Sequence, residues 1–132
     1  LPAMIRRMHE AKLREERHVA LWGSGQAWRE FLHVDDLASA SLLLLEHYDG
    51  AEPVNVGVGQ DLSIRELATL VRHIVGFEGN VMWDRSKPDG APRRLLDSRK
   101  INALGWTPTV SLEDGIRQTY AWFVEHVAAE PV

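Results

Sequence analysis

Apolar side chains return at helical spacing in the first fifteen residues. Met4, Ile5, Met8 and Ala11 alternate with Arg6, Arg7, Glu10 and Lys12, so a helix is expected from Pro2 to about Glu15. His18 to Trp22 (HVALW) has strand composition and runs into a glycine turn, and Glu30 to Val34 reads as a second short strand. Asp35 and Asp36 stand where an N-cap and a first-turn acid belong, because a carboxylate accepts the free N–H groups of a helix start. The helix they open, Leu37 to about His47, is apolar on nearly every side and should be buried on more than one. Pro53 to Gly57 (PVNVG) reads as another strand. Ser63 with Glu66 forms a capping box ahead of Leu67, Leu70, Val71 and Ile74, and Gly76 closes that helix. A strand at Asn80 to Trp83, a loop from Ser86 to Pro92, a short helix from Asp97 to Leu104 and a last helix opened by Ser111 and Asp114 complete the pattern. Short strands alternating with helices predict an α/β fold.

Composition narrows the classes. An apolar share of 45% and a charged share of 26% over 132 residues suit a globular domain or a piece of one. The longest apolar run, Leu42 to Leu45 with small flanks, is too short to cross a bilayer, and Leu1 to Arg7 lacks the order of a signal peptide, so a cytoplasmic location is expected. With no cysteine there is no disulfide, thiolate metal site or cysteine nucleophile in this chain. A net charge of −4 argues against broad nucleic-acid binding.

No complete catalytic set is present. There is no G-x-G-x-x-G, P-loop or H-E-x-x-H; Gly57-Val58-Gly59 is a lone pair of glycines suited to a tight turn, and neither Tyr48 nor Tyr120 has a lysine four positions on. The six histidines are scattered, and His33 is read as structural. The basic residues are more informative. Arg7 lies late in the first helix, Arg29 follows the Trp22–Gly25 turn, and Lys87, Arg93 and Arg94 flank the SKPDGAPRR loop. Guanidinium forks match phosphate oxygens, an indole offers a stacking face, and Asp89 can accept from a ribose hydroxyl. The plainer readings stand beside these: solvated arginines, a turn aspartate in Pro-Asp-Gly, and a tryptophan that fills core.

Four segments in order, WGSGQAWREFLHVDDLA, VNVGVGQDLSIRELA, SKPDGAPRRLLD and LGWTPTVSLEDGI, together resemble the C-terminal part of the GDP-L-fucose synthase family of extended short-chain dehydrogenases/reductases. The R-E-F-x-x-V-D-D and N-V-G-x-G segments are shared across nucleotide-sugar epimerases and dehydratases, whereas the S-K-P-D-G-x-P-R-[KR] loop is narrower. The resemblance covers essentially the whole chain. It implies the substrate-binding portion of such an enzyme, with a few elements, residues about 30–57, that would complete a Rossmann sheet and pack on a Rossmann domain outside this chain. It also implies conversion of GDP-4-keto-6-deoxy-D-mannose to GDP-L-fucose by 3,5-epimerisation and NADPH-dependent 4-reduction. By the same resemblance Arg7, Trp22 and Arg29 contact the GDP-sugar, Asp89 contacts the ribose, and Lys87 and Arg94 neighbour the phosphates. The family's NADP-binding glycines, its Ser-Tyr-Lys reductase residues and its Cys/His epimerisation pair are not in this chain, which by itself is expected to be inactive. The full enzyme is expected to be a homodimer.

Trp28 departs from the family pattern, either packing outside the site or narrowing it. Two alternatives remain at this level: the substrate domain of another nucleotide-sugar epimerase or dehydratase, using UDP- or dTDP-sugars, and a non-catalytic nucleotide-binding module. Residues 37–57 would lose their packing surface in an isolated chain, giving a marginal fold or self-association.

Overall fold

The computed structural model describes residues 1–128. Helix α1 (Pro2–Leu13) leads into strand β1 (His18–Trp22), a two-residue strand β2 (Trp28–Arg29), helix α2 (Val34–His47), strand β3 (Leu62–Ser63) and helix α3 (Ile64–Val75). Strands β4 (Asn80–Asp84) and β5 (Arg93–Arg94) follow, then helices α4 (Arg99–Ala103) and α5 (Leu112–His126). The α/β expectation is met.

β1 and β4 pair in parallel, with Trp22 opposite Asp84. A second sheet has the order β3-β2-β5; β2 runs antiparallel to β3 and parallel to β5. Parallel neighbours need a long crossover, and the chain between β1 and β4 supplies it through α2 and α3.

The main core lies under α1, β1, α3 and α5. Ile5 and Met8 of α1, Val19 and Leu21 of β1, Leu67, Val71 and Val75 of α3, and Ile116 of α5 are all buried there. Their spacing explains the elements: period two along β1, and three or four along the helices. Ser63 and Glu66 form the expected capping box, and Gly76 ends α3 in the left-handed region at φ +70°. A smaller cluster gathers Ala40 of α2, Ile101 of α4 and Trp106, whose indole N–H donates to Ser39 Oγ at 2.9 Å.

Four local expectations are corrected. The strand placed at Glu30–Val34 is instead Trp28–Arg29, and residues 30–33 are irregular. Glu30 is held by its side chain rather than by a ladder: its carboxylate accepts from the Gly59 N–H at 2.7 Å and the Leu96 N–H at 3.0 Å. Pro53–Gly57 is not a strand, since no described strand lies beside it; Asn55 instead donates a side-chain N–H to the Asp97 carbonyl. The N-cap of α2 is His33, whose Nδ1 accepts from the Asp35 N–H, while Asp35 and Asp36 lie in the first turn. Asp36 is turned inward, only 2% exposed, and accepts from the Thr109 N–H, the Thr109 hydroxyl and the Val110 N–H. Finally, α2 buries only Asp36 and Ala40, and leaves Val34, Leu37, Leu42 and Leu45 exposed. Its nearly all-apolar circumference is therefore covered on one side within the described residues.

Candidate functional site

Because β1 and β4 run parallel, their C-terminal ends release two loops on the same edge, residues 23–27 and residues 85–92. The Gly23 N–H still donates to the Asp84 carbonyl at 2.9 Å, so the loops begin side by side. Gly23 and Gly25 both take positive φ, +83° and +76°. Gly25 has a second reason to be glycine: a Cβ there would lie 2.6 Å from the Trp83 indole.

Trp22 sits at the lip of this edge with its side chain outward, 65% exposed. It is not a core residue, which decides against the plainer reading of it. Two cations flank its ring: the Arg7 guanidinium from α1 at 5.6 Å and the Lys87 ammonium from the second loop at 5.7 Å. Arg7 is also anchored by a bond from Nη1 to the Ala20 carbonyl of β1 at 3.2 Å.

Arg29 and Arg94 form the second basic element. They are register partners in the parallel pair β2–β5, so both side chains leave the same face of that sheet. Arg29 Nη1 donates to the Trp28 carbonyl at 2.6 Å. Trp28 and Arg93 are partners on the opposite face, where the Arg93 guanidinium lies 6.0 Å from the Trp28 ring. Arg93 in turn makes a two-pronged ion pair with Asp61, at 2.6 and 2.9 Å, and Asp61's carboxyl is held below its ordinary range by that hydrogen bond. Trp28 is thus turned away from Arg29 and does not narrow the space in front of it.

Asp89 is engaged. One oxygen accepts from the Ser24 N–H and the other from the Ser24 hydroxyl, each at 2.6 Å. Those two bonds, hydroxyl first, hold its carboxyl below the usual range. Each oxygen keeps a further lone pair for a ligand donor. The structure therefore brings Arg7, Trp22 and Lys87 into one cluster, aligns Arg29 with Arg94 on one sheet face, and ties Asp89 to the tryptophan-glycine turn.

Sequence reasoning missed the residues that hold this arrangement. Ser24 joins the two loops. Arg65, at the start of α3, donates from Nη2 to the Ser24 carbonyl at 2.7 Å and from its backbone N–H to the Gly25 carbonyl at 2.9 Å. Glu30 ties the Gly57–Gly59 turn to Leu96. A small polar residue between two glycines was a usable sign for Ser24; Arg65 and Glu30 carry no local sign, because their partners are distant in sequence.

Among the described residues no group of three or more His, Asp or Glu side chains is placed to hold a metal ion. No described helix is long and apolar enough to cross a membrane. The Gly57–Gly59 turn is also unfit as a dinucleotide cradle: the Gly59 N–H is spent on Glu30, and the Glu30 carboxylate fills the space beside Gly57.

Residues 1–57 match the model of the NAD dependent epimerase/dehydratase family. Over 127 residues the chain is 58% identical to GDP-L-fucose synthase 1 of Arabidopsis thaliana, covering 96% of this chain and 39% of that protein. It is 46% identical to GDP-L-fucose synthase of Escherichia coli, covering 96% of this chain and 42% of that one. Among solved structures, a GDP-L-fucose synthetase from Naegleria fowleri bound to NADP superposes with a TM-score of 0.90 at 26% identity, over 97% of this chain and 40% of that chain. A GDP-mannoheptose C4 reductase from Campylobacter jejuni with NADP bound does so with a TM-score of 0.81 at 35% identity, over 93% and 44%. The chain spans about two fifths of the length of the curated relatives it matches.

Proposed function

We infer that this chain, a segment belonging to the NAD dependent epimerase/dehydratase family, is the GDP-sugar-binding portion of a GDP-L-fucose synthase. The whole enzyme converts GDP-4-keto-6-deoxy-D-mannose to GDP-L-fucose by 3,5-epimerisation and NADPH-dependent 4-reduction. The carrying observation is Trp22, solvent-facing with Arg7 and Lys87 at its ring, on an edge whose 85–92 loop approaches, at Gly90, the guanidinium of Arg29, which projects with Arg94 from one sheet face.

The chemistry of that surface suits a nucleoside diphosphate. Guanidinium groups bind phosphate oxygens in forked pairs, and four cations on two adjoining surfaces meet the charge of a diphosphate. The Trp22 ring offers a flat face at the same lip. Asp89, kept ionised by Ser24, is an acceptor suited to ribose hydroxyls. Binding at these groups leaves the sugar tethered by a diphosphate whose position the protein controls, and that tether is what this chain contributes to the reaction.

The hydride donor, NADP, belongs to residues outside this chain, as do the reductase and epimerisation residues, so the isolated chain is inactive. The exposed apolar face of α2 and residues about 30–57 pack on the Rossmann domain that holds the cofactor. The complete enzyme is read as a cytoplasmic homodimer.

Isothermal titration of the chain with GDP tests the reading, with UDP and dTDP as competitors and Arg29→Ala as the variant. Saturable GDP binding, stronger than UDP or dTDP and weakened at least tenfold by Arg29→Ala, is expected. Equal binding of the three nucleotides would instead favour the substrate domain of another nucleotide-sugar epimerase or dehydratase. Wild-type affinity in Arg29→Ala would remove Arg29 from the site.

A further inference from the structure

Trp22 ends β1 and Lys87 lies in the 85–92 loop, three residues after Asp84, the register partner of Trp22; the Asp84 carbonyl accepts from both the Lys87 N–H at 3.2 Å and the Gly23 N–H at 2.9 Å and so fixes the root of that loop. A chain of contacts through two other residues fixes the rest of it. Ser24 grips both oxygens of Asp89 with its N–H and its hydroxyl. Gly23 makes the grip possible, since a Cβ there would overlap the Asp89 carboxylate. Behind Ser24 stands Arg65, whose Nη2 donates to the Ser24 carbonyl at 2.7 Å while its backbone N–H holds the Gly25 carbonyl. The Arg65 guanidinium itself lies 5.0 Å from the Trp83 ring, and that ring fills the space where a side chain at position 25 would go. Arg65 leaves the first turn of α3, whose inner face is core. The result is a mechanical path from the packed interior through Arg65 and Ser24 to Asp89 and the loop that carries Lys87.

We propose that Arg65 and Ser24 are positioning residues of the nucleotide site: together they latch the 85–92 loop to the 23–27 loop and so hold Lys87 over Trp22 before ligand arrives. The proposal rests on the nucleotide reading given above and adds residues that act through others. A preformed site spares the ligand the entropy of ordering two loops, so loss of the latch is read as weaker binding rather than as loss of fold. Because Ser24 places Lys87 as well as Asp89, the part of its effect that runs through Lys87 depends on Lys87 being present. Each bond of the latch is exposed at the loop tips, so breaking one leaves the core intact.

The test is a double-mutant cycle in GDP affinity on the 132-residue chain, with Ser24→Ala, Lys87→Met and the pair, together with Ser24→Thr and Arg65→Met. Thermal melting of each variant checks that it keeps the wild-type fold. Ser24→Ala and Arg65→Met are expected to weaken GDP binding about tenfold, and Ser24→Thr, which restores the hydroxyl, to recover most of it. In the Lys87→Met background the Ser24→Ala effect is expected to shrink from about tenfold to about threefold, the remainder being that of Asp89, whereas a purely structural role would leave it undiminished. A second arm needs no ligand: exchange of the Ser24 amide, followed by NMR, is expected to quicken about tenfold in Asp89→Ala and in Arg65→Met. Unchanged GDP affinity in Ser24→Ala, additive effects in the cycle, or unchanged exchange overturns the latch. Failure of the wild-type chain to bind GDP, with the exchange result as expected, would count against the nucleotide reading and leave the coupling of the two loops supported.

Discussion

Asp36 offers the sharpest test of how this fold is held. Its carboxylate accepts three hydrogen bonds from residues more than seventy positions away: Thr109 N–H at 3.0 Å and Thr109 hydroxyl at 2.8 Å on one oxygen, and Val110 N–H at 3.0 Å on the other. Asp36→Asn keeps an oxygen for Thr109 but turns an amide N–H toward the Val110 N–H. One buried donor is then orphaned, at about 1–3 kcal/mol, and two charge-assisted bonds become neutral ones, at about 0.5–1 kcal/mol each. The sum is about 3 kcal/mol. With a urea slope of about 2 kcal/mol per molar, the unfolding midpoint should fall by roughly 1.5 M, which tryptophan fluorescence will report. The pH dependence carries its own sign. Burial raises the Asp36 carboxyl, but the bonds from Thr109 and Val110 and the neighbouring His33 outweigh it, so the folded value lies below the ordinary one. Its stabilisation is therefore complete above the unfolded value of about 4 and is lost as pH falls through the folded value. The gap between wild type and Asp36→Asn should accordingly narrow as pH falls below about 4. A midpoint shift under 0.2 M at neutral pH would refute the clamp.

Three further outcomes are expected. Gly25→Ala combines a positive φ with overlap on the Trp83 indole, and should lower stability by about 2–4 kcal/mol in a thermal melt; a change below 0.5 kcal/mol would mean that the loop relaxes freely. Ser63→Ala removes the capping-box hydroxyl of α3 and should cost about 1 kcal/mol, while Ser63→Thr, which keeps a hydroxyl that both accepts from the Glu66 N–H and donates to its carboxylate, should recover most of it, as read by urea unfolding. His9, 7% exposed and hydrogen-bonded through Nδ1 to the Tyr120 hydroxyl at 3.0 Å, has its pKa lowered first by burial and then by Lys12, so it favours the neutral ring in the fold. Its contribution is full above about pH 6.5 and is lost as pH falls through the folded value, so stability should decline from pH 7 to 5. His9→Phe, which can share the aromatic contacts with Tyr120 and Phe123, should flatten that slope; an unaltered slope would exclude His9 as its source.

The sequence by itself determined the helices and the longer strands. The stripe through Met4, Ile5 and Met8, the Ser63–Glu66 capping box, the Gly76 stop and the alternation in HVALW are local signals, each read within a few residues and each reproduced in the fold. The basic and aromatic residues of the candidate site were legible too, because residue type and motif order carry them. Tertiary structure decided the rest. A strand exists only where a neighbour accepts its hydrogen bonds, so PVNVG, with strand composition but no partner, stays irregular, while Trp28–Arg29 becomes a strand between β3 and β5. Asp36 looks like a helix cap in isolation and is instead a clamp, because Thr109 and Val110 approach it from the far end of the chain. The faces of β2 separate Arg29 from Trp28, and Ser24 meets Asp89 across the edge where Lys87 lies beside Trp22. Local propensity is written in adjacent residues; the partner of a carboxylate, a strand or a loop is chosen only when distant segments pack.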